Sequence, residues 1–357
     1  MRYRLLLVAS LATVMTAAAV SPRPATSASR ACRWRVFRIP AYRDARHHPG
    51  ISALTAVSAN SVWAAGWWSD PLDGLEHPVA FHWNGRSWRL LPSPAFGPIA
   101  AFGRAAWLVG RRHGRALAAR WNGRRWRVVP TPAGRRSYLG SAAIVSARDA
   151  WAVGQSATGP LMLRWNGQNW ARAAGPDFGG ADGFYQAVAR IPGTSDVWIF
   201  GQDGGTGAAL AARWTGAAWE KYTLPISGNG WATNSVTLAA GSASSAWIGI
   251  SVHVNNGRYE PWMIHWDGSS WSQVPAPNPG GNGEISGVSA GRQSDAWAIG
   301  SYPVTKKKAH PFLLHWDGAR WSVAALPHHA GFSGSVAAVP GTRQVWAAGG
   351  TLDQYSC

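Results

Sequence analysis

The residues best equipped for chemistry in this chain are arginines. Between His77 and Arg148 there are 13 arginines and no Asp or Glu. Arg111, Arg112 and Arg115 form one group, and Arg135 and Arg136 a second. A guanidinium fork matches the geometry of phosphate and carboxylate oxygens, and a field of one sign raises the encounter rate of a polyanion whatever the fold. The whole chain has the same bias, with 34 basic against 16 acidic residues and a net charge of +18. The expected partner is an acidic glycan, a wall polymer or an extracellular protein. Indoles could add stacking to such a site; Trp67, Trp68, Trp231 and Trp262 stand outside the regular spacing of the other tryptophans, and the first three are the candidates because they lie in or beside variable loops.

A second chemistry would use carboxylates. Glycoside hydrolysis needs two of them flanking a bond, about 5–10 Å apart. Asp70, Asp73 and Glu76 share one segment, and Asp177, Asp182 and Glu284 lie in others. They define the alternative reading, a glycan-active hydrolase or lyase. No Ser/His/Asp arrangement and no glycine-rich phosphate loop is present. His82, His265 and His315 each precede a repeated tryptophan, so they belong to different repeats and cannot converge on one ion; they are expected to be structural surface positions. His47-His48, His328-His329 and Asp44 would need to converge to supply the three or four ligands of a zinc site. No metal and no cofactor is assigned, no catalytic residue is named, and the expectation leans towards a non-enzymatic protein.

The elements that must position these residues are written in tryptophan. Val/Ala-Trp recurs at Trp63, Trp107, Trp151, Trp198, Trp247, Trp297 and Trp346. The form Trp-Asn/Asp/Thr-Gly-x-x-Trp recurs from Trp83, Trp121, Trp165, Trp214, Trp266 and Trp316. A period of about 40–50 residues indicates propeller blades. Each repeat reads as four short strands, with Asn-Gly or Asp-Gly predicting a tight hairpin turn between the third and fourth. Seven blades are therefore expected in one domain, residues 30–357. Twenty of the 24 tryptophans fall at repeat positions, where packing between blades is their expected role. Within a blade, the d–a and b–c connections share one face and hold nearly all the length variation. Any site is expected there, since rigid scaffolds present function on variable loops. Arg111, Arg112 and Arg115 fall in the b–c connection of the second blade, and Arg135 and Arg136 in the d–a connection that follows it.

The first six hairpins are complete and the seventh is not. Trp34–Pro40 has the pattern of a fourth strand, so the N-terminal segment is expected to complete the C-terminal blade. Aligning the half-repeats puts Cys32 and Cys357 on the two sides of the missing turn, which predicts a disulfide. Arg2 and Arg4 before the apolar run Leu5–Val20, then small residues through Ala28, read as a signal peptide over residues 1–29. A secreted monomer is expected, with no transmembrane segment after cleavage. Nucleic acid is not an expected partner, because no nucleic-acid module is present in an exported chain.

The run Asp149-Ala150-Trp151-Ala152-Val153-Gly154, followed by Leu163-Arg164-Trp165-Asn166-Gly167-x-x-Trp170, resembles the repeats of secreted bacterial tryptophan-rich propellers grouped loosely with the kelch and BNR (Asp-box) families. The resemblance spans nearly the whole mature chain and implies the propeller fold. Its motifs depart from both groups: Asp317 and Gly318 are adjacent where an Asp box has one residue between, and a Gly-Gly pair follows the second strand only at Gly349-Gly350.

Overall fold

The computed structural model of the chain describes residues 32–39, 49–70, 75–226, 231–254, 257–292, 294–305, 308–326 and 334–356. The segment expected to be a signal peptide, together with Pro40, Asp44, His47, His48, Asp73, His328, His329 and Cys357, lies outside the described residues, as does the side chain of Trp231.

The described residues form seven four-stranded antiparallel sheets. The innermost strands of all seven line one central cavity of about 710 Å³, so the sheets close into a seven-bladed propeller. Blades 1 to 6 each use four consecutive strands and run from Pro49 to Pro92, Ile99 to Val129, Tyr138 to Arg172, Phe184 to Thr223, Trp231 to Val274 and Glu284 to Ala324. Blade 7 takes Ser335–Ala338, Val345–Ala348 and Leu352–Ser356 from the end of the chain. Its outermost strand is Arg33–Phe37, with Arg33 opposite Ser356 and Trp34 opposite Tyr355. That strand stops at Phe37, short of the expected limit at Pro40.

Burial along each blade follows from radial position. The second strands are covered on both faces by neighbouring blades, and Ala105–Gly110 is buried at every residue. Such a strand must read as a continuous apolar run. The outermost strands alternate or stay largely exposed, as in Trp126–Val129.

The repeated hairpin differs from the tight two-residue turn predicted for Asn-Gly. Trp83 pairs with Trp88, leaving four residues in the loop. Asn84 stays out of the left-handed region, and Gly85 takes φ 93°. The Asn84 side-chain oxygen instead accepts the amides of Arg86 and Ser87, at 2.9 and 3.0 Å. Asn122, Asn166, Asp267 and Asp317 do the same in their own hairpins. The polar residue of the motif is therefore an acceptor that satisfies two loop amides. Those amides hold the Asp267 and Asp317 carboxyls well below the usual carboxylate range.

The tryptophans join blade to blade. Trp107 of blade 2 lies against Trp165 and Trp170 of blade 3, with ring centroids 5.0 and 4.9 Å away. Trp198 of blade 4 meets Trp266 and Trp271 of blade 5, both at 5.0 Å. Trp63, Trp151 and Trp247 repeat the arrangement with the hairpin pairs of blades 2, 4 and 6, and Trp346 of blade 7 with Trp83 and Trp88 of blade 1. At the remaining interface Trp297 of blade 6 meets Tyr355 at 5.5 Å, and Trp34 packs with Tyr355 at 5.2 Å.

Trp198 is fully buried. Trp198→Ala should therefore cost about 3–5 kcal/mol, whereas Arg89→Ala at an exposed outer-strand position should stay within about 0.5 kcal/mol. Urea unfolding of both variants checks this; equal midpoints would remove the wedge from the account of stability.

Candidate functional site

The basic cluster is built on a short hairpin and the loop that leans on it. Strand Ala105–Arg112 turns through His113 and Gly114 into Arg115–Trp121. His113 and Gly114 both have positive φ, 49° and 72°, so this turn, not the Asn-Gly hairpins, is the two-residue type. Arg112 and Arg115 face each other across it. Arg115 then bridges to Arg135 in the loop before blade 3. Ser137 fastens the two pieces together. Its amide donates to the Gly114 carbonyl (3.3 Å), and its hydroxyl accepts from the Ala116 amide (2.9 Å) and donates to the Gly134 carbonyl (2.6 Å). Ser137 is only 1 % exposed, so this join is not loosened by competing water.

Arg111, Arg112, Arg115, Arg135 and Arg136 are all exposed. None forms an ion pair with a carboxylate among the described residues. Like charges placed directly across a ladder are destabilising, and Arg136 also has φ 56°, a conformation that costs a non-glycine residue on the order of 1 kcal/mol or more. His113 and Arg136 are the two non-glycine residues with positive φ among those described. Backbone strain and unpaired charge thus coincide in one place.

The structure revises the indole candidates. Trp68 is 4 % exposed and stacks on His77 at 4.4 Å. It fills the interior of the enlarged blade 1 hairpin and is not open to a ligand. Trp67 is half-buried and covers Gly50, where a Cβ would come within 2.6 Å of the indole. Trp231 begins the inner strand of blade 5.

The acidic candidates stay in separate loops on blades 1, 4 and 6. Asp70 and Glu76 flank the blade 1 hairpin, Asp177 and Asp182 lie in the loop entering blade 4, and Glu284 starts blade 6. Asp177 uses its carboxylate to accept the amides of Gly179 and Gly180, at 3.1 and 3.0 Å. The same loop meets Asp203, whose carboxylate accepts the amides of Gly205 and Thr206. Both carboxylates are thus engaged in holding turns. The cavity lining includes no Asp or Glu, and its charged side chain is Arg190. That guanidinium lies 4.4 Å above the Phe102 ring, and burial pushes its pKa down.

The histidines before the hairpin tryptophans are half-buried clamps, not the surface positions expected from sequence. His82 stacks on Trp63 at 4.1 Å and bonds Ser61 at 3.1 Å. His265 stacks on Trp247 at 4.2 Å and bonds Ser245 at 3.1 Å. His315 stacks on Trp297 at 4.1 Å and bonds Asp295 at 2.9 Å. In blade 3, Arg164 takes this place, donating two 2.9 Å bonds to Asp149 above Trp151. The cue missed in the sequence is the pairing of each such residue with the polar residue two before the Val/Ala-Trp tryptophan.

No protein-family model matches the chain, and no curated protein matches it by sequence. Solved structures resemble it in fold. YCF48 from Cyanidioschyzon merolae is 12% identical with a TM-score of 0.60, covering 90% of this chain and 98% of that one. YCF48 bound to D1 peptide is 14% identical with a TM-score of 0.58, covering 91% and 97%. The SapL1 lectin in complex with alpha methyl fucoside is 15% identical with a TM-score of 0.50, covering 70% and 86%. At these identities the likeness shows the propeller fold alone.

Burial lowers the pKa of His82 and His265. The unfolded chain therefore takes up these protons first as pH falls through about 6.5, and stability drops with them. The melting temperature should decline between about pH 7 and pH 5, and the double variant His82→Gln/His265→Gln should show a flatter profile. An equally steep profile in the variant would assign the decline to other groups.

Proposed function

We propose that this protein is an exported, non-catalytic propeller that holds an anionic macromolecular ligand on the loop face of blades 2 and 3. Five exposed arginines, fixed on two stapled loops and without carboxylate partners among the described residues, carry this reading. An arrangement that repels itself in isolation becomes favourable when a polyanion neutralises it. Acidic glycans, wall polymers and acidic stretches of extracellular proteins all offer that chemistry. Solved propellers described as bound to D1 peptide and to alpha methyl fucoside are support in kind, since both peptides and sugars are ligands of this architecture. Export rests on the N-terminal sequence: basic Arg2 and Arg4, the apolar run and the small residues after it. Among the described residues no helix is long and apolar enough to cross a membrane.

A Cys32–Cys357 disulfide belongs to the same proposal. It is supported by the register that sets Arg33 opposite Ser356, which would need to continue by one residue to bring the two cysteines together. Such a bond would close nearly the whole ring. In the chain-entropy account it would remove about 6 kcal/mol from the unfolded state.

Two measurements test these statements. Heparin, as a sulfated glycan, and poly-glutamate, as a polypeptide anion, should bind more weakly as salt rises, because exposed charge pairs are screened. Arg111→Ala/Arg112→Ala/Arg135→Ala/Arg136→Ala should weaken binding by at least about tenfold at low salt; unchanged affinity for both probes would reject the basic site. Intact mass under non-reducing conditions should be lower by two hydrogens than after reduction. Two free thiols in the native protein would reject the closure bond.

A further inference from the structure

One rung of the propeller repeats from blade to blade just above the central cavity. It is marked in blades 1, 2, 3, 4 and 6 by the glycine three residues after the second-strand tryptophan. A Cβ on Gly110, Gly154 or Gly201 would strike the carbonyl of Phe96, Tyr138 or Phe184 respectively. These three residues therefore occupy equivalent positions, Tyr138 and Phe184 at the start of the inner strands of blades 3 and 4 and Phe96 in the bend just before that of blade 2. All three are aromatic, and their exposures are nearly identical, at 44%, 43% and 42%. In blade 1 the equivalent residue is Gly50, covered by the Trp67 indole. In blade 6 it is Glu284. The Tyr138 ring comes within 3.5 Å of where a Cβ on Gly140 would stand, and Gly140 lines the cavity. The ring thus leans over the mouth. Phe102, an exposed aromatic at the far end of the blade 2 inner strand, is different because Arg190 covers it.

Each of three successive blades thus presents a half-exposed aromatic ring at the same rung. Charge beside the rings is graded. Arg136 lies two residues before Tyr138, and Arg135, Arg111 and Arg112 lie on the loops of the same blade pair. At the blade 4 end stand Asp177, Asp182 and Asp203. The loop face therefore carries exposed rings on three successive blades, basic loops at blades 2 and 3 and an acidic loop at blade 4. A glycan polyanion is charged along its whole length, so laying it across all three rings would carry negative charge on to the blade 4 aspartates. An extended polypeptide with carboxylates at one end and spaced apolar side chains after them matches rings and basic loops together.

We infer that Phe96, Tyr138 and Phe184, with the arginine cluster beside them, dock an extended polypeptide segment that is acidic at one end and apolar along the remainder. The inference rests on the loop-face reading above and assigns the occupant's class. The acidic end lies over Arg111, Arg112, Arg135 and Arg136, and the apolar side chains lie against the three rings. Repulsion from the blade 4 aspartates disfavours the reversed direction. Burying aromatic rings in this way is the usual source of affinity at peptide interfaces, with the charges setting orientation and rate of encounter.

The test uses the full chain and three probes: a synthetic peptide with a run of glutamates followed by spaced phenylalanines, poly-glutamate, and heparin. Phe96→Ser/Tyr138→Ser/Phe184→Ser should weaken the amphipathic peptide by at least about tenfold while leaving poly-glutamate and heparin unchanged. The exposed positions leave the core intact, which an unchanged melting temperature confirms. If the triple variant binds the amphipathic peptide as well as the parent does, the docking row is overturned while the basic site survives. The row is overturned equally if the parent prefers heparin to that peptide. If the arginine variant loses nothing with any probe, both readings fall together. A peptide with the glutamates moved to the other end should bind about tenfold less well; equal binding would overturn the assigned direction.

Discussion

Everything in this molecule depends on an indole wedged between two indoles. Each second-strand tryptophan reaches into the next blade and lodges against the pair that brackets its outer hairpin. A four-stranded sheet of this size has no core of its own and must bury both faces against neighbours. The wedge does this with the largest side chain available, and aromatic pairs at these centroid distances add to the burial itself. The seventh interface shows how strict the requirement is. There the chain has no hairpin pair to offer, and Trp34 and Tyr355, brought together from opposite ends of the sequence, take its place. Trp34 also donates its indole N–H to Ala325 of blade 6 at 2.7 Å, so the N-terminal strand is tied to two blades.

The wedge is steadied by the clamp beneath it. In blades 1, 5 and 6 an imidazole lies on the tryptophan and bonds a Ser or Asp. In blades 3 and 4 an arginine bonds Asp149 or Asp196. In blade 7 Gln354 reaches Gln344. Blade 2 alone departs from this pattern. Ala105 occupies the position of Asp149, and Arg120 lies 6.0 Å from the Trp107 centroid and 5.7 Å from that of Trp165. The acid that would neutralise this arginine is missing in the blade whose outer loops hold the basic cluster. Loss of the clamp acid and accumulation of arginine are one pattern, since both leave the field of blade 2 uncompensated.

Much of this was legible in the sequence because it is periodic. Two tryptophan motifs with different spacings fix the number of blades, the strand that carries each indole and the face on which loops vary. The arginine cluster was legible as charge without counter-charge. What sequence could not show depends on contacts between residues far apart in the chain. Trp68 looked available because it broke the spacing, yet an enlarged hairpin needs its own interior and His77 provides the stacking partner. Asn84 looked like a left-handed turn residue, but its side chain satisfies two amides that a two-residue turn would not leave free. Phe96, Tyr138 and Phe184 had no motif at all. They share a rung because their carbonyls lie against a second-strand glycine, reached through a bulge in blades 3 and 4 and through the bend before the inner strand in blade 2, an equivalence that varying loop lengths hide.

The division between scaffold and surface follows from where conformational cost is incurred. The repeated hairpins use Gly in the left-handed region and an Asn or Asp acceptor, so they are relaxed and nearly interchangeable. The loops of blades 2 and 3 do the opposite. They place His113 and Arg136 at positive φ, set Arg112 against Arg115, and hold the arrangement with a serine that water barely reaches. A solvated basic surface needs none of this, because free side chains would spread to reduce their repulsion. Fixing the backbone under like charges instead lowers the entropy still to be lost when a ligand arrives. The wedges make that preorganisation possible: beneath the cluster, Ala105–Gly110 is buried at every residue, so strain at the turn cannot relax by shifting the sheet.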